Sequence, residues 1–296
     1  MPYISSTALF ALLAAGFWGF GDFSGGMGVK SAPAEANPLG AALRVVIFSH
    51  LTSFSVLLTL ALALARHDPL PPHATVAWGV AAGICGGFSL SAFYIALARG
   101  AMGASAAISG LLAAAIPACV ALAADGSPGP HRLIGFAVAG VAIWLIAAGP
   151  AQREALSTIL LATGAGVGFG LYFTCIKYAG AASGPLWTMV SARTGSITTC
   201  VLILLTMRVA GRPTGPVAIN RRMILWILST ALFDTSGNLL FVAATRAGRL
   251  DVASVLASLY PAGTILSAAV LLHERPTRRQ VLGMATAVAA VALITL

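Results

Sequence analysis

Apolar residues run along this chain in blocks of about twenty, broken by short clusters of charged residues, proline and glycine. The blocks fall near residues 5–28, 38–65, 75–98, 103–123 and 133–149, and again near 156–178, 185–209, 223–245, 252–272 and 279–296. Each approaches the ~20 residues with which a helix crosses ~30 Å of hydrocarbon. The pattern predicts an all-α integral membrane protein of ten transmembrane helices. Connections such as 66–72 and 208–222 leave no room for a folded extramembrane domain.

The second half of the chain repeats the first. A shift of about 148 positions lays Trp78 on Trp226, Arg99 on Arg246, Gly135 on Gly283 and Leu145-Ile146 on Leu293-Ile294. Pro117 falls on Pro261 after a short slip, and Ala42-Leu43-Arg44 falls on Ser191-Ala192-Arg193. Residues 1–150 and 151–296 thus read as two five-helix repeats of one integrated membrane domain. An odd number of crossings starts the second copy from the opposite side, so the repeats are expected to be inverted about an axis in the membrane plane. That symmetry is typical of secondary transporters with a site near the midplane.

Two further patterns concern helix shape. Pro117 and Pro261 sit within the fourth and ninth blocks, where each removes a backbone hydrogen bond and allows a kink. Gly21 and Gly25, Gly83 and Gly87, Gly164 and Gly168, and Gly166 and Gly170 stand four residues apart, a spacing that lets helix backbones approach closely.

Composition agrees with the pattern. The chain is 58% hydrophobic and 8% charged, with a mean hydropathy of +0.93, far from a soluble domain. The first block has no basic segment before it and carries Asp22, which reads as a retained helix and not a cleaved signal peptide. The net charge of +9 comes from Lys and Arg in the short connections, an ordinary flanking pattern that gives no case for nucleic acid. Cys85, Cys119, Cys175 and Cys200 lie singly in apolar segments and read as packing residues, not disulfides or metal ligands. The sequence has no HExxH, GxSxG or phosphate-binding loop, so neither an enzyme nor a cofactor is expected.

The segment His273-Glu274-Arg275-Pro276-Thr277, followed by Gln280 and Gly283, resembles the "G-E-R-x-x-x-x-Q-x-x-G" end of each repeat in EamA-type members of the drug/metabolite transporter superfamily. Ala244-Thr245-Arg246, Ala253 to Leu256 and Tyr260-Pro261 are similar to that family's eighth-to-ninth connection. Trp18-Gly19, Arg44 and Arg193 also fit its pattern. The resemblance spans essentially the whole chain. It implies two inverted five-helix repeats around a central cavity in a bacterial plasma membrane, and export or exchange of small metabolites such as amino acids or drugs. The first repeat departs from the pattern with Ala124-Asp125-Gly126-Ser127, and the second has His273 where the family has Gly.

A charge at the bilayer centre costs about 2.5 to 3.5 kcal/mol on insertion scales, so the few intramembrane ionisable groups are the site candidates. Asp234 stands one helical turn from Asn238, and the pair either binds a substrate ammonium or a coupling proton, or makes an interhelical hydrogen bond. His50 could couple transport to protons or simply be a satisfied interior residue. Asp22 lies in a glycine-rich run where a bent helix would expose backbone to a ligand. Arg44 and Arg193, at matching and shallow positions, read as architectural or as holders of a substrate carboxylate. Trp18, Tyr94, Trp187 and Tyr260 could line a pocket for an aromatic metabolite, or belong to interfacial belts and core packing.

These features favour a secondary transporter, an exporter of amino acids, aromatic ones among them, or of related compounds. An uncoupled facilitator is the alternative. The partners expected are a small-molecule substrate, the lipid bilayer and a coupling proton. The resemblance implies a cytoplasmic N-terminus, whereas the excess of basic residues in the connections around residues 30, 99, 153, 208–222 and 275–279 favours the opposite orientation.

Overall fold

The computed structural model describes residues 5–33, 37–64, 70–99, 102–147, 155–181, 183–215, 219–273 and 275–295. Every regular element among them is helical. The first half contains α1 (Ser6–Lys30), α2 (Pro38–Leu64), α3 (His73–Arg99), α4 (Met102–Asp125) and α5 (Pro130–Ala147). The second contains α6 (Leu156–Ala181), α7 (Pro185–Val209), α8 (Arg221–Ala247), α9 (Leu250–Ala257), α10 (Tyr260–Leu271) and α11 (Arg278–Thr295). Eight helical spans are long and apolar enough to cross a bilayer, and α5 is a shorter apolar helix.

Local chemistry sets the helix ends. Ser5 caps α1 by accepting from the Ala8 amide at 3.3 Å, and Asn220 caps α8 by accepting from Met223 at 2.8 Å. Proline at the first turn opens α7, where a missing N–H costs nothing. Within the helices, Ser and Thr hydroxyls satisfy themselves by donating to carbonyls one turn back, as Ser24 does to Phe20 at 2.8 Å.

The exterior is as apolar as the core, and polar groups are found inside as well as out. Along α2, Ser49, His50 and Ser53 are buried while Leu51, Val56 and Leu62 face outward. An apolar exterior with the polar side chains turned inward is what a hydrocarbon solvent selects.

The ninth apolar block departs from the expected single kinked helix. It is broken into α9 and α10 at Ser258-Leu259, and Pro261 stands in the first turn of α10, where its ring is compatible with helix. Pro117, by contrast, lies inside the continuous α4. The break is seated tightly, since a Cβ on Gly110 of α4 would lie 3.0 Å from the Ser258 carbonyl oxygen and 3.1 Å from Pro261.

Contacts between connections show which helix ends share a membrane face. On the face where α1 begins, face A, Arg249 donates to the Gly126 carbonyl at 2.8 Å, Lys177 meets Asp125 at 3.2 Å, and Arg246 donates to the Gly180 carbonyl at 2.8 Å. On face B, Arg44 donates to Gly215 at 2.9 Å and Asn220 to Ser31 at 2.6 Å. Gly248, at the end of α8, lies against the Thr7 side chain, so α1 begins on face A, where α6 ends.

The main packing partners follow a pattern of exchange. α1 lies along α8 as α3 lies along α6, while α2 meets α7, α5 meets α11, and α4 meets both pieces of the ninth span. Gly135 of α5 is pressed against Leu293 and Ile294 of α11, and Gly283 of α11 against Ala142 and Ile146 of α5. The partners are the repeat-related residues themselves. One departure matters: α3 packs far more extensively on α7 than α2 does on α8. Gly87 of α3 makes this possible, because its missing Cβ would sit 3.0 Å from the Ser196 backbone. Face B instead holds an open groove of about 620 Å³ between α1, α8 and α10, bordered by Met27, Arg222, Trp226 and Leu272.

Candidate functional site

Seven helices converge on one internal cavity. Its wall takes Trp18 and Asp22 from α1, His50 from α2, Gly83, Gly86 and Leu90 from α3, and Phe169, Tyr172 and Phe173 from α6. Ala192, Arg193 and Ser196 come from α7, Asp234 and Asn238 from α8, and Tyr260 from α10. The cavity measures about 40 Å³, room for a few water molecules. A metabolite therefore requires the helices to part.

The polar side of the wall is a connected network. Arg193 Nη2 donates to Asp234 Oδ2 at 2.5 Å and to Thr235 Oγ1 at 3.3 Å, while Nη1 donates to His50 Nε2 at 2.9 Å. A donor aimed at Nε2 requires a lone pair there, so the ring is neutral with its proton on Nδ1, which donates to Ser196 Oγ. Asn238 donates to Asp234 Oδ1 at 3.0 Å and accepts from the Tyr172 hydroxyl at 2.5 Å. Each group orients the next.

Asp22 stands apart from this network. Its side chain is buried on the cavity wall, yet it takes part in none of the hydrogen bonds or ion pairs among the described residues. Gly21 brings its helix against α8 at the same level, with a Cβ position 3.0 Å from the Asp234 amide. The other side of the wall is aromatic. Trp18 stacks on Phe173 with centroids 5.2 Å apart, and the Tyr260 hydroxyl is taken up by Ser109 at 2.5 Å.

Of the residues expected from sequence, Asp234, Asn238, Asp22, His50, Trp18, Tyr260 and Arg193 share this wall. Arg193 is buried, 3% exposed, and holds the Asp234 carboxylate. Arg44, Tyr94 and Trp187 are not on the wall. Arg44 ties α2 to the connection before α8, Tyr94 packs its ring over Gly25 with an unpartnered hydroxyl, and Trp187 has an unpartnered indole N–H. Ser196 and Phe173 were not foreseen. Serine is common on packed membrane helices, and one phenylalanine among many carries no positional signal.

Comparison with known proteins turns on the second half. Residues 156–296 match the model of the EamA-like transporter family. This half is similar to that family. A solved crystal structure matches the whole fold with a TM-score of 0.71, covering 97% of this chain and 96% of its own, at 16% sequence identity. No curated protein matches. The chain is accordingly a multi-pass membrane protein whose second half is similar to a family of transporters.

The EamA-like motif has a local structural reading. His273 follows α10 with φ of 58°, in the left-handed region that glycine adopts without strain. Thr277 and Gln280 then cap α11 reciprocally, the Thr277 amide donating to Gln280 Oε1 at 2.8 Å and the Gln280 amide to Thr277 Oγ1 at 3.3 Å. Gly283 admits α5. These parts turn the chain between spans and do not touch the cavity. Glu274 lies outside the described residues.

Proposed function

We propose that this protein is a secondary transporter that carries small ammonium-bearing metabolites, amino acids or related compounds, by alternating access, and exports them from a bacterial cell. The observation that carries the reading is the cavity itself. A buried ion-pair network and an unpaired carboxylate share one wall with an aromatic lining, where seven helices from both halves meet. Buried ionisable groups in a membrane bundle mark substrate or ion pathways.

The reading treats residues 1–150 and 151–296 as inverted repeats. The reciprocal contacts of Gly135 and Gly283, and the opposite directions of α1 and α6, support that symmetry. Tight α3–α7 packing beside a groove at face B gives the asymmetry that alternating access needs. Asp234 is the proposed coupling residue, because a proton on its carboxylate would release Arg193 and loosen α7 from α8.

The test is flux of radiolabelled amino acids and amines in proteoliposomes with and without a pH gradient, for wild type and Asp234→Asn. Saturable flux that the gradient accelerates and the variant loses supports a proton-coupled carrier. Gradient-independent flux that survives the variant would make the protein a facilitator, and no flux of any compound would overturn the reading.

A further inference from the structure

We infer that Asp22 is the recognition point for a substrate cation, and that the preferred substrates are amines lacking a carboxylate, not zwitterionic amino acids. The inference rests on the transporter reading and narrows its substrate class.

It follows from the charges on the cavity wall. Arg193 is committed, Nη2 to Asp234 and Nη1 to His50, and its Nε–H is buried without a partner and is not presented to a ligand. With His50 neutral, the wall holds one cation and two carboxylates. Asp234 is matched by Arg193, which leaves Asp22 as the carboxyl group of the wall without a hydrogen-bond or ion-pair partner among the described residues. Its oxygens face the cavity without a protein donor, and a ligand ammonium would supply one that also holds the carboxylate ionised.

The aromatic wall selects in the same direction. The hydroxyls of Tyr172 and Tyr260 are occupied by Asn238 and Ser109, so these residues offer a ligand their ring surfaces. Together with Trp18 and Phe169 they share the wall with that carboxyl group, so that an ammonium group bound there would meet both charge and ring quadrupoles. A substrate carboxylate has no counterpart here. The wall's guanidinium is engaged by Asp234 and His50, and the carboxyl group of Asp22 offers a substrate carboxylate no donor cation.

Phenethylamine and phenylalanine decide the matter, since they share ring and amine and differ by the carboxylate. Flux of each is measured in proteoliposomes for wild type, Asp22→Asn and Asp22→Glu, with folding checked by far-UV circular dichroism and size exclusion. The expected result is saturable phenethylamine flux with kcat/KM at least tenfold above that for phenylalanine. Asp22→Asn should abolish it, and Asp22→Glu should keep it with a KM raised severalfold. Equal or better transport of phenylalanine, or undiminished phenethylamine flux in Asp22→Asn, would overturn the inference and leave the transporter reading standing. If Asp22→Asn does not fold, an unchanged phenethylamine KM in Asp22→Glu overturns it equally. No flux of either compound or of any amino acid would remove the transporter reading and this inference together.

Discussion

Arg193 of α7 and Asp234 of α8 meet at 2.5 Å with side chains only 3% and 9% exposed. Each has been taken out of water for the other, so removing one strands a buried charge. Arg193→Ala should destabilise the protein by about 3–5 kcal/mol, and Arg193→Ala with Asp234→Asn by less than the sum of the two single changes. Thermal unfolding in detergent across this double-mutant cycle measures the coupling. Additive losses would show that the pair does not act as a unit.

His50 is held between a donor and an acceptor. Arg193 at Nε2 and Ser196 at Nδ1 fix the neutral tautomer with the proton on Nδ1. Nitrogen-15 shifts of labelled histidine should show His50 as this tautomer in wild type, and a mixed or charged state in Arg193→Gln. A ring protonated on both nitrogens in wild type would contradict the geometry.

Two glycines of α1, less than a turn apart, should respond oppositely to the same change. A Cβ on Gly19 would lie 2.6 Å from Gly263 Cα and 2.8 Å from the Thr264 amide, backbone atoms that cannot step aside, whereas Gly16 has nothing within 4 Å. Gly16→Ala should stabilise by up to about 1 kcal/mol through helix propensity. Gly19→Ala should lower the melting temperature and loosen α1 from α10. Equal effects of the two changes would mean that α1 and α10 do not approach as closely as described.

His273 occupies a left-handed backbone position that costs a non-glycine residue about 1–2 kcal/mol. His273→Gly should therefore raise stability by a comparable amount, less the entropy glycine restores to the unfolded chain. A higher melting temperature with unchanged flux is the expected outcome. A lower one would show that the imidazole makes compensating contacts.

The ten apolar blocks were legible because hydrocarbon tolerates only long apolar segments with internally satisfied backbone. The cavity was legible in part, since a costly intramembrane charge such as Asp234 or Asp22 announces itself by rarity. What sequence did not disclose was partnership. Arg193 and Arg44 sit at matching repeat positions, yet one holds Asp234 and the other a connection carbonyl, because Asp234 has no counterpart near α2. Likewise Pro117 and Pro261 are related by the repeat, but only the second coincides with a break. Neighbouring packing, not proline alone, decides whether the chain bends or stops.

That break has a mechanical consequence. A single rigid helix through the ninth span would behave as a seesaw, so that displacing one end would lift the other. Here the span is jointed near its middle. The short rod α9 is fastened to face A by Arg249, whose guanidinium grips Asp251 at 2.8 Å and reaches across to Gly126. The longer rod α10 leans on α1 and borders the groove at face B. With the joint held against Gly110, a swing of the outer rod would not have to carry the fastened one with it, and an opening at face B would leave the latch at face A in place.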